Sequence, residues 1–284
     1  VPCVYWVQDI WPESATFSLN LKNSLVVGAL NRLCGWIYRR ADMVLVQSEA
    51  FPPMIARFGV PADRIRVLPN TAPSTYRPLS PEDAPKQALV VPQDGFRLMF
   101  AGNIGESQDF DTLIAAADLL RDRAALKWVI VGTGRDEARV KALIAAKNLT
   151  DRFHFVGRHP EEDMPYFFAH ADAMIVSLRD IPIFSLTVPY KVQCYMACGK
   201  PIIAALNGEG ARIVSESGAG TAVPAGDPAA LAKAVLDMMQ RTPAERSIFA
   251  SSSRAFFEHH YTREKVYGDL ERFLTEAVGS KKLL

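Results

Sequence analysis

An excess of charge of either sign is the first thing this chain lacks. Its 284 residues carry 32 lysines and arginines against 31 aspartates and glutamates, a formal net charge of +1. No global field therefore draws it to nucleic acid or to an acidic polymer, and any anion must be held locally. Cysteine is scarce as well. Cys3, Cys34, Cys194 and Cys198 show none of the paired spacings that build zinc sites. Cys194 and Cys198 sit one helical turn apart among Tyr195, Met196 and Ala197, as reduced buried thiols of a cytosolic protein would. Long hydrophobic runs are missing too. The longest, LVVGALNRLCGWIY from Leu25 to Tyr38, is interrupted by Asn31 and Arg32 and is too short to span a bilayer. No signal peptide, internal repeat or low-complexity tract is visible. The opening VPCVYWVQD has no initiator methionine and is strand-like from the outset, so the expectation is a start within a domain.

What is present is alternation. Strand-like runs recur at regular intervals, each ending in glycine or a small polar turn and followed by a helical pattern. CVYWV, MVLVQS and IRVLP form a first group; RLMFAG, KWVIVG, RFHFVG, AMIVSL, PIIAAL and, more weakly, GTAVP form a second. Such alternation predicts an α/β chain of doubly wound parallel sheets covered on both faces. Between the groups lies a proline-rich stretch, Pro69 to Gly95, unsuited to a central strand or a helix interior. The expected division is a partial amino-terminal Rossmann-like domain at 1–75, a linker at 76–95, a complete Rossmann-like domain at 96–257, and a terminal helix and tail at 258–284. That last helix should pack through Val266, Leu270, Phe273, Leu274 and Val278.

FAGNIGESQDFDTL, from Phe100 to Leu113, is the stretch most suggestive of chemistry. An apolar strand stops at Gly102, and Phe110, Leu113, Ile114 and Ala117 then follow helical spacing. The loop from Gly102 to Gln108 thus lies where unpaired amides and a helix dipole favour an anion, and its glycines allow close approach. A tight turn that binds nothing explains the same residues. Asp109 and Asp111 read as helix-end acids rather than as a metal–diphosphate site. A second stretch, LTVPYKVQCYMACGKPIIAA from Leu186 to Ala205, places Pro189 at a helix start and Gly199 at its end. Its first turn should present Tyr190, Lys191 and Gln193: a stacking group, a cation and an amide. Lys191 reads either as a diphosphate partner or as a solvated lysine.

Taken in order, VQDIWPES, ADMVLVQSE, VLPNTAPSTYRP, FAGNIGESQDFDTLIAAA, WVIVGTGRDEARV, FHFVGRHPEEDMPYFFAHADAMIVSL and PYKVQCYMACGKPII resemble the successive motifs of a retaining GT-B glycosyltransferase of the group 1 (GT4) type. Within that family the chain is most similar to bacterial enzymes of O-antigen and capsule assembly, such as N-acetyl-L-fucosamine transferases. The resemblance covers nearly the whole chain. It implies two Rossmann-like domains facing a cleft, the first truncated here, and a nucleotide-sugar donor held mainly by the second. It also implies transfer without a cofactor or essential metal, and UDP as the nucleotide. By the same resemblance Gly102, Asn103, Gly105 and Gln108 meet the diphosphate, Gly157 and Arg158 meet the base, and Pro189, Tyr190 and Lys191 face ribose and phosphate. Gln8 and Asp9, with the following Trp11, line the acceptor side. Two departures stand out. Many relatives have an arginine and a lysine where this chain has Asn103 and Gln108, and two glutamates where it has Leu186 and Cys194.

The mechanism implied is stabilisation of a diphosphate leaving group by the Gly105 and Glu106 amides with the Lys191 ammonium, without a protein nucleophile. Asp9 reads either as the group that orients or deprotonates the acceptor hydroxyl, or as a strand-end or capping carboxylate. The histidines assemble no nucleophile system. The acceptors implied are glycans or polyprenyl-diphosphate-linked sugars, with a cytoplasmic location, peripheral on the inner face of the plasma membrane. For that contact the segment from Leu25 to Arg40 combines Trp36 with Arg32, Arg39 and Arg40, as an interfacial helix does; an ordinary amphipathic helix has the same pattern. Two other functions stay open: a nucleotide-sugar 2-epimerase, which should show several carboxylates and histidines around the sugar, and a non-catalytic nucleotide-binding partner module.

Overall fold

The computed structural model describes residues 1–18, 23–83 and 90–282, so the part of the expected linker at 84–89 lies outside the described residues. The three strand-like runs of the first group form a sheet in the order β1 (Val4–Val7), β2 (Met43–Val46), β3 (Ile65–Val67). The six of the second group are β4 (Phe96–Ala101), β5 (Leu126–Val131), β6 (Phe153–Gly157), β7 (Ala173–Ser177), β8 (Ile202–Ala205) and β9 (Gly220–Val223), in the order β6-β5-β4-β7-β8-β9. Every pairing is parallel. The chain reverses its direction of winding between β4 and β7, which opens a crevice at the carboxyl ends of those strands.

Burial explains the run-like rather than alternating composition of the strands. Every residue of β2, β7 and β8 is buried, because helices cover both faces. On one face of the larger sheet lie α4 (Phe110–Leu119), α5 (Glu137–Ala146) and α9 (Pro228–Gln240); on the other lie α6 (Met164–Ala169), α7 (Tyr190–Ala197) and α8 (Glu209–Glu216). Phe110, Leu113, Ile114 and Ala117 all point into the core, and the Phe110 ring meets Phe100 edge-on at 4.9 Å.

The smaller sheet is covered on one face by α2 (Ser24–Arg40) and α3 (Pro52–Ala56), through Cys34, Tyr38 and Ile55. Its other face is covered from the far end of the chain. α10 (Pro243–His260), opened by a Thr242/Glu245 capping box, gives way to α11 (Arg263–Lys282), which lays Val266, Phe273 and Ala277 on Met43, Leu45 and Leu68. The expected boundary at 257 falls inside α10, because nothing there breaks the helix. Tyr261, between the two helices, is buried, and its carbonyl accepts from Thr71 Oγ1. Leu274 and Val278 differ from expectation in remaining exposed. The buried positions 266, 273 and 277 define a face that excludes 274 and 278, one residue or about 100° further round. No helix among the described residues is long and apolar enough to cross a membrane.

Candidate functional site

The crevice between β4 and β7 holds a cavity of about 880 Å³. Its floor is made by the end of β4, its side by the start of α7. Gly102 adopts φ 139°, in the region glycine favours, and a Cβ there would stand 3.3 Å from Lys191 Nζ. Two further glycines brace the loop from beneath: a Cβ on Gly132 would lie 2.0 Å from Gly102 O, and one on Gly134 2.0 Å from Ile104 O. The Gly102 amide donates to Val131 O and the Ile104 amide to Thr133 O, so both are committed to the β5 side. The Gly105 and Glu106 amides make no hydrogen bond among the described residues.

Lys191 is the one side chain that joins the two stretches singled out in the sequence. Its ammonium donates to Gln108 Oε1 at 2.7 Å and stands 4.0 Å over the Phe100 ring. The residue keeps some solvent contact at its surface, while burial of the amine pushes its pKa down to about 7. No carboxylate pairs with it among the described residues, so an incoming anion would be the group that favours its charged form. Gln108 is fixed in turn, its carbonyl accepting from Ser177 Oγ at 2.5 Å. Behind them Tyr195 bonds through its hydroxyl to both the amide and the carbonyl of Ala101, at 3.1 and 3.2 Å, clamping the end of β4.

Of the residues singled out in the sequence, Gly102, Gln108, Arg158, Pro189, Tyr190 and Lys191 line this cavity. Asn103 lines a smaller adjoining space of about 430 Å³ that shares Gly102 and Arg158. Gly157 ends β6 at φ 85° and directs the chain into Arg158, but forms no part of the wall. Gly105 and Glu106 are beside the cavity rather than on it. Gln193 does not face the crevice: it is 1% exposed, and its position two residues after Lys191 places it about 200° round the helix. Pro189 precedes α7 as its cap residue. Asp109 takes the cap position of α4, and its carbonyl accepts from the Leu113 amide at 3.4 Å, but its carboxylate accepts from no backbone amide of the helix. It sits in a left-handed conformation, its carboxylate accepting from Thr112 Oγ1 at 2.6 Å, while Asp111 pairs with Arg139 at 2.7 Å.

Gln8, Asp9 and Trp11 follow β1 on the smaller sheet, and none of them lines the cavity. Asp9 and Trp11 are exposed, and the Gln8 carbonyl accepts from Gln47 Nε2 at 3.0 Å. The two sheets meet elsewhere, through the segment between β7 and α7. Ile183 is buried in the core of the smaller sheet, and Ser48 Oγ donates to Leu186 O at 2.6 Å.

Several wall residues escaped the sequence reading: Tyr76, His159, Glu161, Met164 and Phe168; Cys194, which stands where many relatives have a glutamate, is on the wall as well. Tyr76 comes from the proline-rich connection, far from either motif in sequence. His159 and Glu161 follow Arg158 directly, and a reading that continued past that arginine would have found them. Among the described residues no group of three or more histidines, cysteines or acids is arranged to hold a metal ion.

The family model described as "Glycosyl transferases group 1" matches residues 95–241, more than half of the chain. Probable glycosyltransferase WbjE of Pseudomonas aeruginosa is 28% identical over 277 residues, 95% of this chain and 66% of the relative. The putative colanic acid biosynthesis glycosyltransferase WcaL of Escherichia coli (strain K12) is 22% identical over 240 residues, 84% of this chain and 57% of the relative. The chain thus spans less than two thirds of the length of these curated relatives. Among solved structures, Anabaena Alr3699/HepE in complex with UDP-glucose superposes with a TM-score of 0.78 at 21% identity, covering 97% of this chain and 72% of that one. Sucrose-phosphate synthase from Thermosynechococcus elongatus gives 0.77 at 22% identity, covering 96% and 68%. With two parallel Rossmann-like sheets and this match across the larger one, the chain belongs to the group 1 glycosyltransferases and has their GT-B fold.

Proposed function

We propose that the chain binds a nucleotide-sugar donor in the crevice between β4 and β7, as part of an enzyme that transfers the sugar to an acceptor with retention. The observation that carries this reading is the Lys191 ammonium, held by Gln108 against the Gly102 loop without a carboxylate partner, in a cavity large enough for a nucleotide. Cleavage of a glycosyl–phosphate bond leaves growing charge on the diphosphate. A cation aimed at those oxygens, with the Gly105 and Glu106 amides nearby, stabilises that charge in the transition state more than in the ground state. No protein nucleophile or metal is invoked, and Asp9 is assigned to the acceptor hydroxyl.

UDP is the proposed nucleotide, supported by the UDP and UDP-glucose complexes of HepE. A bacterial surface polysaccharide is the proposed product, supported by the colanic acid and amylovoran relatives. The finer assignment is an N-acetylated deoxysugar moved to a glycan or polyprenyl-diphosphate-linked acceptor on the cytoplasmic face of the membrane. Among the described residues the cavity wall carries one carboxylate, Glu161, and one histidine, His159, which does not favour an epimerase.

Calorimetric titration of this chain with UDP, with GDP as comparison, tests the reading. Saturable UDP binding that weakens about tenfold or more in Lys191→Ala is expected, the loss of one charged contact to phosphate. A folded sample that binds neither nucleotide would leave the Gly102 loop as a turn and overturn the assignment.

A further inference from the structure

A second cavity, of about 400 Å³, lies where the two sheets adjoin and where the chain crosses between them. Pro69, on the way out of β3, and Tyr261, between α10 and α11, are both on its wall. The smaller sheet contributes Gln47 and Glu49 from the end of β2, and the larger one contributes a face of α8 from Glu209 to Glu216. Val188 lines this cavity and the next residue, Pro189, lines the one between β4 and β7, so one short segment borders both. The charge of the two walls is opposite. The first carries Lys191 and Arg158 against Glu161, whereas in the second the carboxylates of Glu49, Glu209, Glu216 and Asp269 outnumber the cations Arg212 and Lys265 among the described residues. Both of those cations are occupied: Arg212 donates to Glu209 at 2.7 and 3.0 Å and also to Glu216, and Lys265 stands 3.8 Å from Asp269. Glu49 is exposed and pairs with no cation among the described residues. A phosphate or other anion entering here meets net repulsion.

The rest of the wall is aromatic. The Phe256 ring lies 4.2 Å from that of His260 and 5.7 Å from that of Tyr261. Burial, with His259 and Lys265 close by, lowers the His260 pKa, so this surface is neutral at pH 7. Gln47 is buried, its Nε2 donates to Gln8 O, and its side-chain oxygen has no donor among the described residues, a cost that a ligand hydroxyl reaching it would relieve. An aromatic surface beside acceptors that lack donors suits a ligand with an apolar face and a rim of hydroxyls. A pyranose ring has both, C–H bonds on its face and hydroxyls round its edge, and the volume is that of a small-molecule site. We infer that this cavity binds a neutral saccharide unit, its ring face against Phe256 and its hydroxyls donating to Glu49 and Gln47. On the donor-site reading above, the unit belongs to an acceptor glycan and is held across Val188 and Pro189 from the donor. The affinity for a saccharide does not itself depend on that reading.

Saturation-transfer NMR tests this with the methyl glycosides of glucose, galactose, fucose and N-acetylglucosamine as neutral probes, and with glucose 1-phosphate and glucuronate as charged controls. At least one neutral probe is expected to bind the wild-type chain saturably with a Kd of about 1–10 mM, the weakness of hydrogen bonds exchanged with water. Its affinity should fall about fivefold or more in Glu49→Ala, an exposed position outside the donor cavity, and in Phe256→Ala. Saturating UDP and the Lys191→Ala substitution should leave it unchanged, and the charged controls should bind more weakly. Displacement by UDP would overturn the inference, because it would place the saccharide in the donor cavity. So would an affinity unchanged in Glu49→Ala, tighter binding of glucose 1-phosphate, or no neutral glycoside bound at about 50 mM, where a millimolar site is filled. UDP titration of the same sample reads the donor site separately, so either assignment can fail while the other stands.

Discussion

Lys191 illustrates how a single residue acquires a property its type does not have in water. The amine is desolvated beneath the Gly102 loop, and its pKa falls to about 7 from the ordinary 10.5. In the unliganded chain it therefore loses its proton near neutrality, whereas a bound diphosphate favours the charged form. The advantage of wild type over Lys191→Met in UDP affinity should be greatest below about pH 7. Above that it should shrink by about tenfold per pH unit, until the pKa of the bound state is reached. Comparison with Lys191→Met removes the titration of the ligand itself, and calorimetry at several pH values between 6 and 9 reads the ratio. The stability of the unliganded chain follows the opposite course. Unfolded chains bind more protons at this lysine between about pH 7 and 10.5, so relative to Lys191→Met the folded wild type gains stability as pH rises through that window. Lys200, whose amine donates to the carbonyls of Ala169 and Ala171 and is lowered to about 8, contributes in the same direction in both proteins and cancels in the comparison.

At the scale of elements, α2 shows what a helical pattern leaves undecided. Cys34, Gly35 and Tyr38 form its buried face. Leu25, Val26, Leu33 and Trp36 remain exposed, with Arg32, Arg39 and Arg40 beside them and Arg40 stacked on the Trp36 ring at 4.6 Å. This exposed aromatic and basic surface supports the proposal of peripheral contact with a membrane bearing a lipid-linked acceptor. Sedimentation with vesicles containing anionic lipid should carry down the wild-type chain at low salt, and high salt should release it. Trp36→Ala combined with Arg40→Ala should reduce the bound fraction several-fold. Equal sedimentation of the double variant would assign α2 to ordinary packing.

At the scale of the whole molecule, two connections hold the sheets together. α11 returns to cover the smaller sheet, and the segment between β7 and α7 inserts Ile183 into that sheet's core while its ends, Leu178 and Pro189, touch the cavity between β4 and β7. Ile183 is only 9% exposed. Ile183→Ala should destabilise the chain by about 2 kcal/mol or more, the cost of truncating a buried isoleucine. Denaturant unfolding reads that loss. Hydrogen exchange should show it concentrated in β2, with β4 and β5 unaffected. Uniform protection across both sheets would mean that the insertion carries no such load.

The central strands were legible in the sequence because a parallel strand covered on both faces, as β2, β7 and β8 are, must be an apolar run, and each run ends in a turn residue. So were the loop after Gly102 and the lysine opposite it, since a strand-to-helix turn and a helix start are local features. Their contact was not legible: Lys191 and Gln108 are 83 residues apart, and only the reversal of strand order between β4 and β7 sets them 2.7 Å from each other. Gln193 shows the limit of reading a first turn as a single surface, because successive helix positions face different ways. Tyr76 and Glu161 reach the cavity wall from segments whose local sequence signals only a connection and a helix start. The sequence by itself determined the alternation, the parallel sheets and the family. Tertiary structure decided which polar side chains share a cavity, because that depends on strand order and helix rotation, which no local pattern encodes.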